Sequence, residues 1–198
     1  DSENLKAKWL PKIAEGEILC CGAFTEPDHG SDITALDTTA VREGDEWVIN
    51  GQKVWTSMAH FADFCLLVVR TDPDSRKHKG LSYLLVDMSL PGIDPRPMTQ
   101  ITGEAEFNEV FFDNVRVPEA NRLGPEGAGL SIFNHSMQWE RSFIFASHVG
   151  SMARQLDETV AFAKDRRQFG QPIGQFQSVS NRIADMKLRL ETARLLMY

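Results

Sequence analysis

The chain has 198 residues, 42% of them hydrophobic and 25% charged, and its net charge is −7. It is long enough to bury a core in one large domain or in two small ones. Its acidity argues against a nucleic-acid binder, because polyphosphate partners need a concentrated basic face. The one basic run, Arg76-Lys77-His78-Lys79, is short and lies among Pro, Asp and Ser, which predicts a solvated hairpin tip.

The first part of the chain carries strand signals. Residues 5–17 predict a short helix that ends at Gly16, and residues 18–118 predict an all-β domain of antiparallel strands separated by turns. Apolar residues between Val110 and Val117 alternate at spacings that imply a bulge or turn near Asp113-Asn114. The predicted strands span residues 18–24, 37–42, 46–50, 53–57, 64–71, 81–87 and 106–117.

Two short stretches of this β-domain indicate a ligand site. Residues 24–32, FTEPDHGSD, form a turn-rich loop that offers backbone N–H groups and hydroxyls. Further on, Asn50-Gly51 separates two strand patterns, which is the strongest short-range hairpin signal. The second strand of that hairpin would deliver a tryptophan and two hydroxyls. Together the stretches predict an aromatic wall with several hydrogen-bonding groups.

The last part of the chain is helical. Composition changes at residues 124–129, and apolar residues then recur at helical spacing from Leu130 to Ala163, which predicts one helix of roughly thirty residues or more. Residues 166–172, RRQFGQP, interrupt it, and a second helix starts near Phe176. A short loop between two long helices predicts an antiparallel pair, whose apolar faces need the β-domain, further helices or another subunit as cover.

Cysteines and hydropathy bear on the compartment. Cys20, Cys21 and Cys65 lie in apolar runs without metal-ligand spacing, so we expect free thiols, no metal site and a reducing compartment. No apolar run approaches the roughly 20 residues that span a bilayer, and no signal peptide opens the chain. The chain starts without Met and stops within a helical pattern, so we expect a fragment of a longer protein.

The two stretches, in this order and spacing, resemble the acyl-CoA dehydrogenase family. That family's flavin loop reads close to T-E-P-x-x-G-S-D, and its next motif reads close to I-N-G-x-K-x-W-x-[TS]. The R-x-x-F-G segment at residues 166–170 extends the resemblance to essentially the whole chain. His29 stands where a small residue is usual, which removes no hydrogen-bonding group.

The resemblance implies an α+β fold, with an antiparallel β-barrel or sandwich followed by long antiparallel helices of a bundle. Residues 1–17 would end an N-terminal helical domain. Residues 18–123 would form the β-domain with the flavin and acyl-CoA site, and residues 124–198 would begin the C-terminal bundle.

FAD is the cofactor that the resemblance implies. Trp55 would pack against the flavin, although an ordinary core tryptophan is the alternative. Hydroxyls and amides near the flavin's polar edge stabilise its reduced form. Arg166 would bind the pyrophosphate of FAD held by a neighbouring subunit. The alternative is that its positive charge only interacts favourably with the macrodipole at a helix C-terminus. The implied cofactor-binding residues are Phe24, Thr25, Ser31, Trp55, Thr56, Ser57, Arg166, Phe169 and Gln177.

Glu140 is the candidate catalytic base. It interrupts an apolar helix stripe that includes Phe133 and Ile144, and a buried carboxylate is a better base near neutral pH. A subset of the family, similar to the isovaleryl and long-chain enzymes, carries its base here in a Glu-Arg pair, whereas most members carry it downstream. Two alternatives stay open. The base could lie further downstream, and Glu140 could be a glutamate on the helix surface or in a salt bridge. The implied substrate-binding residues are Ser31, Met137 and Arg141.

The function that the resemblance implies is FAD-dependent dehydrogenation of an acyl-CoA to a trans-2-enoyl-CoA, with electrons passed to an electron transfer flavoprotein. An acyl-CoA oxidase or flavin monooxygenase on the same scaffold is one alternative. A non-catalytic flavin- or acyl-binding module is another. We expect a homodimer or homotetramer without a membrane span, in the bacterial cytoplasm or the mitochondrial matrix, and a role in fatty-acid metabolism.

Overall fold

The computed structural model describes residues 3–75 and 77–197. The chain divides into two compact units, Asp1–Asn134 and His135–Tyr198. Arg76 of the predicted hairpin tip lies outside the described residues, and Lys77–Gly80 forms a 3-10 helix. Helix α1 (Glu3–Ala14) confirms the predicted N-terminal helix, and its Trp9 ring lies 5.0 Å from the ring of Phe64. Within the described residues, no helix is both long and apolar enough to cross a bilayer.

The first unit contains an eight-stranded sheet. Its strands are β1 (Cys20–Ala23), β2 (Thr39–Glu43), β3 (Glu46–Ser57), β4 (Phe64–Arg70), β5 (Leu81–Asp87), β6 (Ile93–Met98), β7 (Phe107–Pro118) and β8 (Arg122–Leu123). They follow the order β6-β7-β3-β2-β4-β5-β8 in the sheet, with β1 paired to β4. The predicted α+β class is confirmed, but the sheet is mixed, because β1 and β2 both run parallel to β4. Between β2 and β4 the chain reverses twice, once into β3 and once out of it, which restores its direction.

The predicted hairpin at Asn50-Gly51 is wrong, because β3 continues through this pair. The chain does reverse at Gly44-Asp45, between the strands predicted at residues 37–42 and 46–50, and Gly44 has a φ of 65°. Gly51 is required for a different reason: its φ is 150°, and a Cβ there would lie 2.7 Å from the Cα of Thr38. A close approach of neighbouring backbone, rather than a chain reversal, therefore explains the glycine.

Two register shifts interrupt the pairing of β3 with β7. The first follows Ile49, where β7 holds the extra residue and Asn114 has a φ of 50°, which confirms the predicted bulge. The second lies between Lys53 and Thr56, where β3 holds the extra residue and Trp55 has a φ of 60°. Each bulge bends its strand and re-aims the side chains that follow.

The core of the first unit covers both faces of β4. Leu67 and Val69 belong to the larger apolar cluster, whereas Val68 belongs to a smaller one with Leu36, Leu81 and Tyr83. Burial on both faces explains why β4 reads as a continuous apolar run rather than an alternating one. The sequence missed β6 because Pro95 and Pro97 argue against a strand, and β6 lies at the sheet edge where proline is tolerated.

The second unit consists mainly of two long helices. Helix α2 (Gly129–Asp165) has 37 residues and begins within the first unit, and α3 (Gln177–Met197) has 21. Both helices and the break between them are confirmed, and the break contains a small hairpin of β9 (Arg167–Gln168) and β10 (Gln171–Pro172). The helices pack through a cluster centred on Val149, Leu156 and Leu190.

Candidate functional site

The loop after β1 is a compact turn held against β3. The N–H of Glu26 donates to the carbonyl of His29 at 2.9 Å, and the N–H of His29 donates back to the carbonyl of Glu26 at 3.2 Å. The N–H of Val54 donates to the carbonyl of Thr25 at 2.9 Å, which joins the loop to β3. Thr25 is partly buried, and Ser31 at the far end of the loop is exposed.

Trp55 lies on the β3 bulge with 60% of its surface exposed. Its ring packs edge-on against Phe107, at a centroid distance of 6.0 Å. The alternative of a core tryptophan is therefore wrong for Trp55, and the core position belongs to Trp47, which is 1% exposed. A bulky residue at positive φ stores strain, which is typical of ligand-binding positions.

The two hydroxyl residues after Trp55 lie in different environments. Ser57 is exposed, as Trp55 is, whereas Thr56 is 1% exposed and packs inside the sheet. The Oγ1 atom of Thr56 is buried and has no hydrogen-bond partner among residues 3–75 and 77–197. Ser57 therefore shares the open side of β3 with Trp55, and Thr56 does not.

Asn108 holds the bulge from β7, a role that the sequence did not reveal. It is fully buried, and its Nδ2 donates to the carbonyl of Thr56 at 3.0 Å. Its Oδ1 lies 2.8 Å from Nδ1 of His60. An asparagine at a buried strand position was the available signal, because a buried amide must find partners.

Phe24 is partly buried and packs against the smaller core cluster of the first unit. Its ring packs edge-on against Phe133, at 4.9 Å, and at a tilt against Tyr83, at 6.1 Å. Phe24 therefore stabilises the aromatic packing of the first unit, independently of any contact with a flavin.

Of the predicted substrate and base residues, Ser31 lies in the first unit, whereas Met137, Glu140 and Arg141 lie on α2, in the second unit. Met137 is partly buried, but Glu140 and Arg141 are exposed, as are all residues from 138 to 148. The described residues therefore do not provide the burial that would strengthen Glu140 as a base. Glu140 also forms no ion pair with any of them, so the exposed helix-surface alternative fits this unit better than the salt-bridged one.

The R-x-x-F-G segment forms an exposed turn. Phe169, at the tip of the β9–β10 hairpin, has a φ of 50° and is 94% exposed. Its ring packs edge-on against Phe176, at a centroid distance of 6.1 Å. Arg166 and Gln177 are also exposed, so the turn presents an aromatic ring, a cation and an amide to its surroundings.

A buried ion pair is the second feature that sequence reasoning missed. Lys53 is 0% exposed and Glu26 is 4% exposed. Burial alone raises the pKa of Glu26, but the ammonium of Lys53 and the backbone N–H of Asp37 outweigh it and hold this pKa below its ordinary value. Burial lowers the pKa of Lys53, and the Glu26 carboxylate opposes that effect. A lysine among apolar strand residues was the available signal.

Two family models match the chain. The model for Acyl-CoA dehydrogenase, middle domain, matches residues 21–115. The model for Acyl-CoA dehydrogenase, C-terminal domain, matches residues 127–198.

Named relatives match over the whole chain. An L-prolyl-[peptidyl-carrier protein] dehydrogenase from Serratia sp. (strain ATCC 39006) is 40% identical over 199 residues, which cover 100% of this chain and 51% of the relative. The glutaryl-CoA dehydrogenase of Desulfococcus multivorans is 39% identical over 199 residues, with coverage of 100% and 51%. The chain thus spans about half the length of these relatives.

Solved structures agree with the fold. The prolyl acyl carrier protein oxidase AnaB has a TM-score of 0.89 and 42% identity, and the match covers 100% of this chain and 52% of that one. A structure described as PigA with FAD and proline has a TM-score of 0.89 and 40% identity, with the same coverage. The chain therefore belongs to the acyl-CoA dehydrogenase family, as its paired motifs predict.

Proposed function

We propose that the protein binds FAD and dehydrogenates an acyl thioester between its α and β carbons. The observation that carries this proposal is the exposed Trp55, held at positive φ on the β3 bulge beside Ser57 and the Thr25 loop. These residues fit a flavin, because a planar aromatic ring packs on tryptophan while hydroxyls bind its polar edge. The FAD-bound PigA structure, 40% identical, supports the same cofactor.

Bound FAD would supply the hydride acceptor, and the residues of this chain would orient and bind around it. Trp55 would cover part of one ring face, and Thr25, Ser31 and Ser57 would donate hydrogen bonds. Phe24 would act through its packing, and Thr56 through its backbone, since its side chain faces inward. The exposed turn with Arg166, Phe169 and Gln177 would bind the pyrophosphate and adenine end of an FAD held by a second subunit.

Glu140 would remove the α-proton, with Met137 and Arg141 contacting the substrate. Because Glu140 is exposed in its own unit, this function requires that the bound substrate or another surface exclude water from it. A carboxylate outside residues 1–198 is the alternative base.

The substrate carrier has two candidates. Similarity to glutaryl-CoA dehydrogenase favours an acyl-CoA, which would become a trans-2-enoyl-CoA. Similarity to the prolyl-carrier dehydrogenase favours a prolyl group bound as a thioester to a carrier protein. Anaerobic mixing of the flavin-loaded protein with each candidate distinguishes them, because only the true substrate reduces the flavin in a single half-reaction and so bleaches its absorbance.

The electron acceptor also has two candidates. We propose an electron transfer flavoprotein, in a homodimeric or homotetrameric enzyme of the bacterial cytoplasm or the mitochondrial matrix. The likeness to AnaB, an oxidase by description, favours dioxygen instead. The rate at which air reoxidises the reduced flavin decides between them. A colourless protein that cannot be reconstituted with FAD would leave only a non-catalytic module.

A further inference from the structure

Glu26 and Lys53 form an ion pair that is unusually well buried for this chain. Nζ of Lys53 lies 2.8 Å from Oε1 of Glu26, and their side chains are 0% and 5% exposed. Among the ion pairs of the described residues, the next least exposed joins Arg122 to Glu119, with 20% and 22% exposed. The pair therefore lies in the interior rather than on a solvated face.

Both partners also bind backbone groups. Nζ of Lys53 donates to the carbonyl of Phe24 at 3.1 Å. The carboxylate of Glu26 accepts the N–H of Asp37 at 2.5 Å and the N–H of Thr38 at 2.9 Å. The pair thus ties together three segments: the loop after β1, the residues that lead into β2, and β3.

The pair lies directly before the bulge that carries Trp55. Lys53 is the last residue before the register shift, and the N–H of the next residue, Val54, donates to the carbonyl of Thr25. Lys53 and Val54 therefore both hold the loop after β1, one through its side chain and the other through its backbone. Trp55 follows them with its strained φ and exposed ring.

Stability alone does not explain such a pair. Desolvation of two buried charges offsets most of their attraction, and apolar replacements of similar volume are often as stable. A strained backbone, by contrast, persists only where its surroundings fix it from several sides. The pair is placed to do this for Trp55.

We propose that Glu26 and Lys53 are positioning residues that fix the loop of residues 24–31 against the Trp55 bulge and so preorganise the flavin site. This inference rests on the proposed FAD function. Neither side chain needs to touch the cofactor, because each acts through the backbone that carries Thr25 and Trp55. A preformed site binds its ligand without the cost of ordering a loop.

The test is a double substitution, Glu26→Gln with Lys53→Met. It removes both charges together, so that no unpaired charge stays buried, and glutamine retains a carbonyl that accepts a backbone N–H. The matched control is Glu43→Gln with Arg116→Met, which removes an exposed pair of the same sheet, 53% and 54% exposed. Each protein is compared with the parent by FAD titration of the apoprotein, thermal unfolding, and hydrogen exchange without FAD.

We expect the buried double variant to bind FAD about tenfold more weakly or worse, with a melting temperature near the parental one. Without FAD, hydrogen exchange should accelerate in the three segments that the pair ties together, residues 24–31, 37–38 and 53–57, and not elsewhere in the sheet. The control should match the parent in every measurement.

Two results would overturn the inference: unchanged FAD affinity and exchange in the buried variant, or a loss of affinity that accompanies faster exchange throughout the sheet. A parent that binds no FAD overturns the proposed function instead. The exchange pattern then tests the ion pair alone. Acceleration confined to the three segments supports a positioning role for the pair, and unchanged exchange refutes it.

Discussion

Trp55 combines a φ of 60° with an exposed indole, and each property has a cost. Positive φ at a non-glycine residue costs about 1–3 kcal/mol, and an exposed indole forgoes the stabilisation of burial. Neighbouring residues hold this conformation: Asn108 binds the carbonyl of Thr56, and Lys53 and Val54 bind the loop after β1. At the scale of single residues, the site is thus a strained position supported from both sides.

Replacement of Trp55 tests its contact with the cofactor. We expect Trp55→Ala to weaken FAD binding by about tenfold and to shift the flavin absorbance, because aromatic packing contributes about 0.5–1.5 kcal/mol beyond the buried area. The control is Val41→Ala, which removes an apolar side chain of equal exposure, 60%, from β2. Equal FAD affinity in both variants would show that Trp55 does not contact the flavin.

Glu140 is the residue on which the proposed chemistry depends. We expect Glu140→Gln to lower turnover by about 10²–10⁴-fold, because the amide keeps the shape of the side chain but cannot accept a proton. FAD content and substrate affinity should stay near parental values. Glu158→Gln, which changes an exposed glutamate on the same helix, is the control. Near-parental turnover of the Glu140 variant would place the base elsewhere.

Glu26 contributes a pH-dependent stability. Its pKa in the folded protein lies below the ordinary value of 4.5, so its contribution is complete above pH 4.5 and is lost as the pH falls below that value. The unfolding free energy of the parent should therefore fall more steeply in acid than that of the Glu26→Gln, Lys53→Met variant. Denaturant unfolding at a series of pH values measures both slopes. Parallel curves below pH 4.5 would contradict this expectation.

At the scale of elements, β3 shows what a local pattern can and cannot predict. Its sequence correctly predicted strand on both sides of Asn50-Gly51. An Asn-Gly dipeptide, however, is compatible both with a chain reversal and with a strand whose glycine lies close to neighbouring backbone. The approach of Thr38 depends on how β2 packs, which lies outside the local pattern. The extra residue at Trp55 likewise shifts the alternation, so the inward position of Thr56 could not be inferred.

Long-range periodicity proved more informative than short patterns. Helix α2 repeats its apolar spacing over 37 residues, enough to outweigh local exceptions, and both long helices were predicted. The paired motifs identified the family and the loop. The Glu26–Lys53 contact, by contrast, joins residues 27 positions apart through side chains, and no pattern within either motif specifies it.

Gly51 provides a test at this scale. Gly51→Ala should destabilise the first unit by about 1–3 kcal/mol, because the new Cβ would overlap the Thr38 backbone. The matched control is Gly150→Ala in α2, where no atom beyond the adjacent residues and the nearby helix backbone lies within 4 Å of the added Cβ and alanine favours the helix. Denaturant unfolding compares the two. If both variants gain stability, the close approach to Thr38 does not restrict position 51.

At the scale of the whole molecule, the two long helices leave much apolar surface uncovered in their own unit. We expect the protein to self-associate through this surface as a closed dimer or tetramer, measured by sedimentation over micromolar concentrations. A well-folded monomer throughout that range would contradict the expectation. The exposed apolar side chains are Trp139, Phe143, Ile144, Phe145, Phe162, Leu188, Leu195 and Leu196.

A substitution distinguishes this surface from the rest of the protein. Phe143→Lys should shift the equilibrium towards monomers, because it places a charge on the apolar face of α2, where Phe143 is 71% exposed. Phe61→Lys, which changes a 65% exposed aromatic residue of the first unit, should leave the association unchanged. The relatives are about twice as long as this chain, so a further part of a longer protein is the alternative cover.

The sheet margins limit how copies of this chain can aggregate. Pro95 and Pro97 are two residues apart on edge strand β6, so their nitrogens face the same way, and neither can donate a hydrogen bond to an added strand. The opposite edge, β8, is only two residues long. Growth of amyloid-like ribbons by strand addition is therefore disfavoured at the β6 margin, and β8 itself offers too short a template for it.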